Sequence, residues 1–298
     1  MTSTPSHYNG SEERRAWPIY ILSSLRSGST LLRYLLDAHE RLACPPETKF
    51  IAGFVPFLEY PQSRLAFESL GVSHAEVFEE LRLFVERIMG RYTSRHNKSR
   101  WVDKTPNYYR YTHIIEQLFQ EQVLYVILAR HPFDCICSLE AFQELTSRSR
   151  DPEVARLAAT HGYGRYAWAQ YWHEVYSRLA LFSASRPDRT LIVTYEDLVS
   201  CPDVPVARIC EFIAEPYDPT IVTRAFSTEH AQGFGDSKID QTERVHTNSV
   251  GQWRRWPRAE SETLWECVRG PATHFGYDVA ETVTLPVGGS QQGTHVGA

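Results

Sequence analysis

Residues 18–36 decide the fold and read PIYILSSLRSGSTLLRYLL. The apolar first part predicts a buried strand over Ile19–Ser23, the hydroxyl-rich middle predicts a tight turn around Gly28, and the last part predicts a helix beginning near Leu31. A strand, a turn and a helix start place several backbone N–H groups and the positive end of a helix dipole around one point. This stretch therefore predicts a P-loop-like phosphate-binding turn.

The turn matches only half of the P-loop motif G-x-x-x-x-G-K-[ST] of nucleotide hydrolases. Gly28 and Thr30 are present, but Ser23 replaces the first glycine, and Ser29 replaces the lysine that reaches the β- and γ-phosphates. Arg26 supplies a positive charge two residues before the glycine. The sequence therefore disfavours metal-dependent triphosphate cleavage. Taken alone, this short motif is also compatible with a chance Ser/Gly turn.

The composition is typical of one globular domain, and the chain has no net positive charge. The chain has 298 residues, of which 42% are hydrophobic, and a formal net charge of −5. We expect a single domain over residues 17–287 between flexible tails at 1–16 and 288–298. The net negative charge disfavours nucleic acid as a partner. The cysteines are not spaced like the ligands of a zinc site, and no apolar run is long enough to span a membrane. We therefore expect a cytoplasmic protein with reduced thiols, a small-molecule ligand, no metal and no membrane partner.

Four nearly continuous apolar or β-branched runs predict strands that are buried on both faces. Helical patterns alternate with these runs, which predicts an α/β fold, a three-layer sandwich with a central parallel sheet. The predicted strands are Ile19–Ser23, Arg100–Asp103, Val123–Ala129 and Thr190–Thr194. The predicted helices are Leu31–His39, His74–Tyr92, Tyr109–Phe119, one from Asp134 towards Leu145, Tyr163–Ser183, Val204–Ile213 and Glu260–Val268.

Polar and charged residues follow the end of each predicted strand. In chain order they are Arg26–Thr30, Lys104 with Thr105, Arg130, and Tyr195 with Glu196. Ligands of parallel sheets bind beyond the carboxyl ends of the strands, so three of the four strands deliver a cation to the binding edge. This placement predicts a site for more than one anionic group. Solvated surface charges are the alternative explanation of such a cluster.

A second phosphate site is predicted after the third strand. If a helix begins near Asp134, Ser138 lies about one turn into it, and its hydroxyl can share an anion with the Arg130 guanidinium. An Arg130–Asp134 salt bridge and a solvated serine are the alternative interpretations.

With two such sites, the sequence resembles the sulfotransferases that use 3′-phosphoadenosine-5′-phosphosulfate (PAPS). These enzymes have a 5′-phosphosulfate loop of the form R-S-G-[ST]-T, matched by Arg26–Thr30, and a 3′-phosphate site of Arg and Ser eight residues apart, matched by Arg130 and Ser138. The resemblance runs from about Ile19 to Tyr277. It implies a transferase that takes PAPS as donor, releases adenosine 3′,5′-bisphosphate (PAP) and needs no metal. The implied donor contacts in this part of the chain are Arg26, Ser27, Gly28, Ser29, Thr30, Leu31, Arg130, Ser138 and Tyr195.

The loop over Pro45–Lys49 resembles two branches of this family. In the tyrosylprotein sulfotransferases, the glutamate of a Glu-Thr-Arg triplet is the proposed general base, and sulfotransferase domains of bacterial polyketide synthases share the Pro-Pro-Glu form. The resemblance makes Glu47 the catalytic base, since an alcohol needs a base to react at neutral pH, although a glutamate in such a loop is usually a solvated acid. Arg26 and Lys104 are implied to stabilise the leaving phosphate. Phenol and steroid sulfotransferases place a histidine base where Pro106 stands here.

Near the C-terminus, Asn248–Trp256 resembles the segment that closes over the donor in this family. We call it the closing segment. Gly251 and Arg255 are the implied donor contacts, with Arg254 as the second choice of arginine. Phenol-type enzymes precede this segment with Arg-Lys-Gly, whereas His246–Asn248 stands there in this chain. Arg254 or Arg255 is therefore expected to complete the 3′-phosphate site.

The sequence thus predicts transfer of a sulfuryl group from PAPS to a hydroxyl of a small-molecule or acyl-chain acceptor by in-line displacement. The acceptor is free or carrier-bound, and a homodimer is compatible with the sequence. A P-loop-type nucleotide kinase and a non-catalytic nucleotide-binding protein stay open as alternatives. Aromatic residues at helical spacing either line the acceptor pocket or belong to the core, with the core favoured. They are Phe50, Phe54, Phe57, Trp168, Tyr171 and Trp172.

Overall fold

The protein is described by a computed structural model over residues 14–146, 152–231, 233 and 242–278. A five-stranded sheet forms the centre, and every strand pairs in parallel with its neighbours in the order β2-β3-β1-β4-β5. The strands are β1 (Ile19–Ser23), β2 (Leu42–Ala43), β3 (Arg100–Lys104), β4 (Leu124–Ala129) and β5 (Thr190–Thr194).

Helices connect the strands and cover both faces of the sheet. None of the helices in the described ranges is both long enough and apolar enough to cross a membrane. The α-helices are α1 (Ser29–Asp37), α2 (Phe50–Glu59), α3 (Pro61–Ser69), α4 (His74–Arg95), α5 (Thr112–Leu118), α6 (Pro132–Thr146), α7 (Pro152–His161), α8 (Arg165–Ala184), α9 (Tyr195–Ser200), α10 (Asp203–Phe212), α11 (Ile221–Arg224) and α12 (Arg258–His274). Short 3-10 helices occur at Pro106–Arg110, Pro187–Arg189 and Gln252–Arg255.

Two apolar clusters lie on opposite faces of the sheet. Tyr20 and Leu22 of β1 belong to one cluster with α8 and α12, whereas Ile19 and Ile21 belong to the other with α1 and α10. All four side chains are fully buried, and each contributes about 1.5–3 kcal/mol of burial free energy. Because both faces are covered, the strands are apolar throughout. The predicted α/β fold, a three-layer sandwich around a parallel sheet, is confirmed.

The predicted strands agree with the observed ones to within one residue at each end. The sequence analysis predicted no helix over α2 or α3, although it noted aromatic residues of α2 at helical spacing. The α2 sequence is apolar on nearly all sides and contains Pro56, and α3 buries no residue, so neither shows a clear apolar stripe against a polar face. The ten-residue helix α7 and the shorter elements β2, α9 and α11 were missed as well. The helix predicted from Tyr109 is wrong at its start, since Pro106–Arg110 forms a 3-10 helix and α5 begins only at Thr112.

The predicted tail at 1–16 lies outside the described residues apart from its last three. Within those three, the Arg14 carbonyl accepts a hydrogen bond from the Arg100 guanidinium at 2.7 Å, and Arg15 Nε donates to the Ala214 carbonyl at 2.8 Å. These bonds join residues 14 and 15 to the domain. The tail predicted at 288–298 lies outside the described residues.

Candidate active site

The strand register brings the predicted site residues to one edge of the sheet. Ile21 of β1 is aligned with Lys104 of β3, and Ala129 of β4 is aligned with Thr194 of β5. Because β1 and β4 are also parallel neighbours, the carboxyl ends of these four strands lie side by side. The residues that follow them therefore meet at the edge where ligands of parallel sheets bind.

The turn after β1 has a conformation that requires glycine. Gly28 has a φ of +89°, in the left-handed region, and α1 begins at the next residue. A Cβ atom on Gly28 would overlap the ring of Tyr195. The Ser27 hydroxyl donates to the Ser24 carbonyl at 2.9 Å and closes the turn. The N–H groups at the start of α1, from Ser29 onward, are thereby presented at the edge of the sheet.

Two buried tyrosines of α8 form hydrogen bonds to the start of this turn. The Tyr171 hydroxyl accepts from the Leu25 N–H at 3.2 Å, and the Tyr176 hydroxyl accepts from Ser24 Oγ at 3.3 Å. Tyr176 also donates to the Leu128 carbonyl at 3.1 Å. Both tyrosines are fully buried, as are Trp168 and Trp172, so the core interpretation of the α8 aromatics is confirmed. Their contact with the turn was not predicted, because helical spacing shows burial but not the partner of a hydroxyl.

Arg26 connects the two predicted phosphate sites. Its φ of +62° is unusual for a residue other than glycine, and its Nε donates to Ser138 Oγ at 3.2 Å. Its guanidinium carbon lies 5.2 Å from the centroid of the Phe142 ring. Its carbonyl accepts from Arg130 Nη1 at 2.8 Å. The turn and the Arg130–Ser138 pair, predicted as separate sites, are therefore in direct contact, and Ser138 bonds to Arg26.

Arg130 is buried between the turn and the closing segment. Its Nη2 donates to the Ser249 carbonyl at 2.7 Å, and its guanidinium carbon lies 4.3 Å from the centroid of the Tyr195 ring. Its Nε is buried and has no hydrogen-bond partner in the part of the chain that the structure describes, and the same holds for Ser23 Oγ at the end of β1. Buried polar atoms in native proteins are nearly always hydrogen-bonded. These two atoms therefore fit a polar ligand such as a phosphate group.

Asp134 ties the closing segment to α6. Its carboxylate accepts from the N–H groups of Gly251 at 2.8 Å and Gln252 at 2.9 Å. Gly251 has a φ of +76°, which turns the chain into the 3-10 helix that follows. Burial raises the pKa of Asp134, while these N–H groups and the charge of Arg130 act in the opposite direction. The sequence analysis considered Asp134 only as a salt-bridge partner of Arg130 and missed its bonds to the closing segment.

The two arginines of the closing segment lie beside different residues. The Arg254 side chain crosses Gly251, within 3.4 Å of a Cβ built there. Burial lowers the pKa of His131 to about 3, and the charges of Arg130 and Arg254 act in the same direction. Burial raises the pKa of the Cys137 thiol to about 12, and the positive charge of Arg255 partly opposes this rise. The roles of Arg254 and Arg255 at the 3′-phosphate stay predictions.

Glu47 and Lys104 form a direct ion pair at the end of β3. Lys104 Nζ donates to Glu47 Oε1 at 3.0 Å, and the exposed fractions of the two side chains are 1% and 17%. Lys49 then adopts a φ of +57° and turns the chain into α2. The predicted base and the predicted cation, 57 residues apart in the sequence, are therefore in contact.

A fully buried carboxyl group lies beside this pair. Asp103 Oδ2 accepts from the Thr48 hydroxyl at 2.6 Å, and Oδ1 accepts from the Thr105 hydroxyl at 3.2 Å. The Tyr108 hydroxyl lies 2.9 Å from Thr48 Oγ1. The sequence analysis missed this network. The sequence signal that could have revealed the network was an aspartate inside a predicted buried strand, directly before Lys104.

A protein-family model described as the sulfotransferase family matches residues 18–219. The chain belongs to the sulfotransferase family. The matched range includes all five strands, the turn, and the Glu47–Lys104 and Arg130–Ser138 pairs. The family predicted from the motifs is confirmed, and the family match favours it over a P-loop nucleotide kinase.

A curated relative of this sulfotransferase is the nodulation protein NoeE of Sinorhizobium fredii. The two sequences are 27% identical over 251 residues, which cover 79% of this chain and 59% of NoeE. The chain thus spans about three fifths of the length of the curated relative that it matches.

Solved structures with a similar fold include two sulfotransferase domains. The domain from the curacin biosynthetic pathway superposes with a TM-score of 0.61 at 20% identity, over 87% of this chain and 97% of the domain. The domain of the Synechococcus PCC 7002 olefin synthase superposes with a TM-score of 0.61 at 23% identity, over 88% and 95%. At these identities, the likeness supports the fold of this sulfotransferase.

No cluster of three or more His, Cys, Asp or Glu side chains in the described ranges of this sulfotransferase is arranged to hold a metal ion. The acidic residues near the sheet edge instead accept hydrogen bonds from hydroxyl, backbone or cationic groups, as the partners of Asp103, Asp134 and Glu47 show.

The stability of this sulfotransferase should depend on the ionisation of Asp103. Burial raises the pKa of Asp103 to about 6, although the hydroxyl groups of Thr48, Thr105 and Tyr108 and the charge of Lys104 act in the opposite direction. A carboxyl whose pKa is higher in the folded state than in the unfolded chain binds its proton more tightly when folded. Asp103 therefore stabilises the fold least above pH 6, and its contribution grows as the pH falls from 6 to about 4.

We expect the free energy of unfolding of the wild type, relative to an Asp103→Asn variant, to fall by about 2 kcal/mol between pH 4 and pH 6.5, since the folded and unfolded pKa values of Asp103 differ by about two units and most of that titration lies in this range. Urea unfolding of both proteins at several pH values measures this difference. Parallel curves for the two proteins would show that Asp103 does not titrate in this range.

Proposed function

We propose that this sulfotransferase transfers the sulfuryl group of PAPS to the hydroxyl group of an acceptor. The observation that carries the proposal is the contact between Glu47 and Lys104 beside the phosphate-binding turn, because it joins a base and a buried cation at the edge where ligands bind. Family membership supports the reaction class.

The donor would be held at both of its charged ends. The N–H groups of Ser29 and Thr30 and the Arg26 side chain would bind the 5′-phosphosulfate, because a helix start favours an anion. The Leu31 N–H, also predicted as a donor contact, already donates to the Gly28 carbonyl at 3.0 Å. Arg130 and Ser138 would bind the 3′-phosphate, and the buried Arg130 Nε is a donor suited to it. PAPS supplies the sulfuryl group when bound, and PAP is its leaving group.

The roles of Glu47, Arg26 and Lys104 follow from the charge changes in an in-line displacement. Glu47 takes the proton of the acceptor hydroxyl while the new oxygen–sulfur bond forms. Negative charge then collects on the oxygen released from sulfur, and Arg26 and Lys104 stabilise it. Protonation of Glu47 also removes the negative partner of Lys104, so the buried ammonium group attracts the developing anion more strongly in the same step.

We propose a free or carrier-bound hydroxyl acceptor and a cytoplasmic enzyme. All six cysteines are free thiols, which supports a reducing compartment. The proposed acceptor is a small molecule or an acyl chain that carries a hydroxyl group.

Two measurements test this proposal. Labelled PAPS incubated with a panel of alcohols should give a labelled sulfate ester, and calorimetry should show binding of PAP. No PAP binding at millimolar concentration would reject the donor assignment. Binding of PAP without transfer to any alcohol would favour the non-catalytic alternative.

A Gly28→Ala variant should bind PAP about 10–100-fold more weakly, because the left-handed φ and the overlap with Tyr195 together cost about 1–3 kcal/mol. Gly71→Ala is the matched control, since Gly71 has a φ of +72° but open space around it. Equal PAP affinity in both variants would contradict the role of the turn.

A further inference from the structure

Two consecutive residues of the loop Pro45–Lys49, which we call the Glu47 loop, contact two consecutive residues at the end of β3. Glu47 bonds to Lys104 at 3.0 Å, and Thr48 bonds to Asp103 at 2.6 Å. The first contact joins two groups of the proposed reaction. The second contact joins a hydroxyl and a carboxylate that take no part in it.

The Thr48–Asp103 contact has the features of a rigid anchor. Asp103 is 1% exposed and lies within β3, and its second oxygen is occupied by Thr105. The Thr48 oxygen is also contacted by the Tyr108 hydroxyl at 2.9 Å, and Tyr108 in turn accepts from the Ile51 N–H at 3.4 Å. A short bond to an ionised acceptor is about twice as strong as a neutral one. The loop is therefore fixed to the strand immediately after Glu47.

The ion pair with Lys104 cannot hold Glu47 throughout the reaction. When Glu47 takes a proton, its carboxyl group loses its charge, and its attraction to Lys104 decreases. The Thr48–Asp103 bond does not involve the charge of Glu47, so it persists through proton transfer. A base held by such an anchor keeps its geometry at the moment when its own ion pair weakens.

We propose that Asp103 is a positioning residue that, through the Thr48 hydroxyl, holds the backbone of Glu47 so that its carboxylate reaches both Lys104 and the acceptor hydroxyl. The inference rests on the proposed role of Glu47 as the base. Asp103 touches neither donor nor acceptor, and its effect on the reaction passes entirely through the loop.

Replacement of Thr48 by Val tests this role, because valine keeps the shape and removes the hydroxyl. We expect kcat to fall about tenfold while the dissociation constant for PAP stays within about twofold, since a displaced base affects the chemical step and not the donor site. Thr48→Ser restores the hydroxyl and should recover at least half of the wild-type kcat. Thr48→Ala removes the same hydroxyl without a branched side chain and should match the valine variant, which guards against misfolding of one variant.

Thr220→Val is the matched control, because the Thr220 hydroxyl also bonds to a carboxylate, that of Asp218 at 2.7 Å, but neither residue belongs to the proposed site. Its kcat should stay within about threefold of the wild type. Wild-type kcat in both Thr48→Val and Thr48→Ala, or equal losses in the Thr48 and Thr220 variants, would overturn the inference. If Glu47→Gln abolishes turnover in that case, only the anchor is rejected. If Glu47→Gln retains turnover, the proposed base itself is wrong.

Discussion

Replacing Glu47 by Gln should lower kcat by about 10²–10⁴-fold, the range that general-base catalysis contributes. The amide has nearly the same shape as the carboxylate, but it cannot take the proton of the acceptor hydroxyl. Glu47 lies at the sheet edge with 17% of its side chain exposed, so the substitution should leave the fold intact. Steady-state kinetics with labelled PAPS measure the loss, and calorimetry with PAP should show an affinity within about threefold of the wild type.

Glu40→Gln is the control, because Glu40 is an exposed residue that carries no role in the proposed site. Its kcat should equal that of the wild type. A Glu47→Gln variant that loses turnover and PAP affinity together would indicate misfolding or a binding role. Full turnover in that variant would reject Glu47 as the base.

Replacing Lys104 by Met should lower kcat by about 10²–10³-fold, as expected when one donor to a developing anion is removed. Only 1% of the lysine side chain is exposed, so its charge acts at low dielectric and water cannot replace it. Methionine fills a similar volume without charge. PAPS affinity should fall less than kcat, because the interaction is strongest after the charge has moved to the leaving oxygen. PAP already carries that charge, so its affinity should fall more than that of PAPS.

The double variant Glu47→Gln/Lys104→Met separates a coupled pair from two independent groups. Residues that act as a unit give non-additive losses, so the double variant should retain more activity than the product of the single losses predicts. Lys98→Met is the control for loss of a partly buried lysine, since Lys98 pairs with Asp37 at 3.3 Å. Its kcat should stay within about threefold of the wild type. Losses that multiply would contradict the coupling of Glu47 with Lys104.

Local sequence patterns were sufficient to predict four of the five strands. A strand buried on both faces reads as a short apolar run with turn residues at its ends, and Ile19–Ser23 and Thr190–Thr194 were predicted at their observed bounds. Helices without an apolar stripe could not be predicted in this way, as α2 and α3 show. Parallel pairing then placed the residues after the strands at one edge.

The contacts inside the site depend on backbone conformations that carry no periodic signal. Arg26 and Lys49 both adopt a positive φ, and these turns decide where the loops after them run. No pattern in the sequence shows that Thr48 bonds to Asp103, or that Asp134 binds the closing segment 117 residues further on.

The α/β class and the phosphate-binding turn could be derived from the sequence, because apolar runs, helical patterns and turn residues are local features. The sulfotransferase family was identified by the resemblance of short motifs to those of known enzymes. The partners of the buried polar groups could not be derived from the sequence, because a hydrogen bond between distant segments exists only after packing has removed water from both. Folding thereby places Glu47 beside Lys104 and ties the Glu47 loop to Asp103.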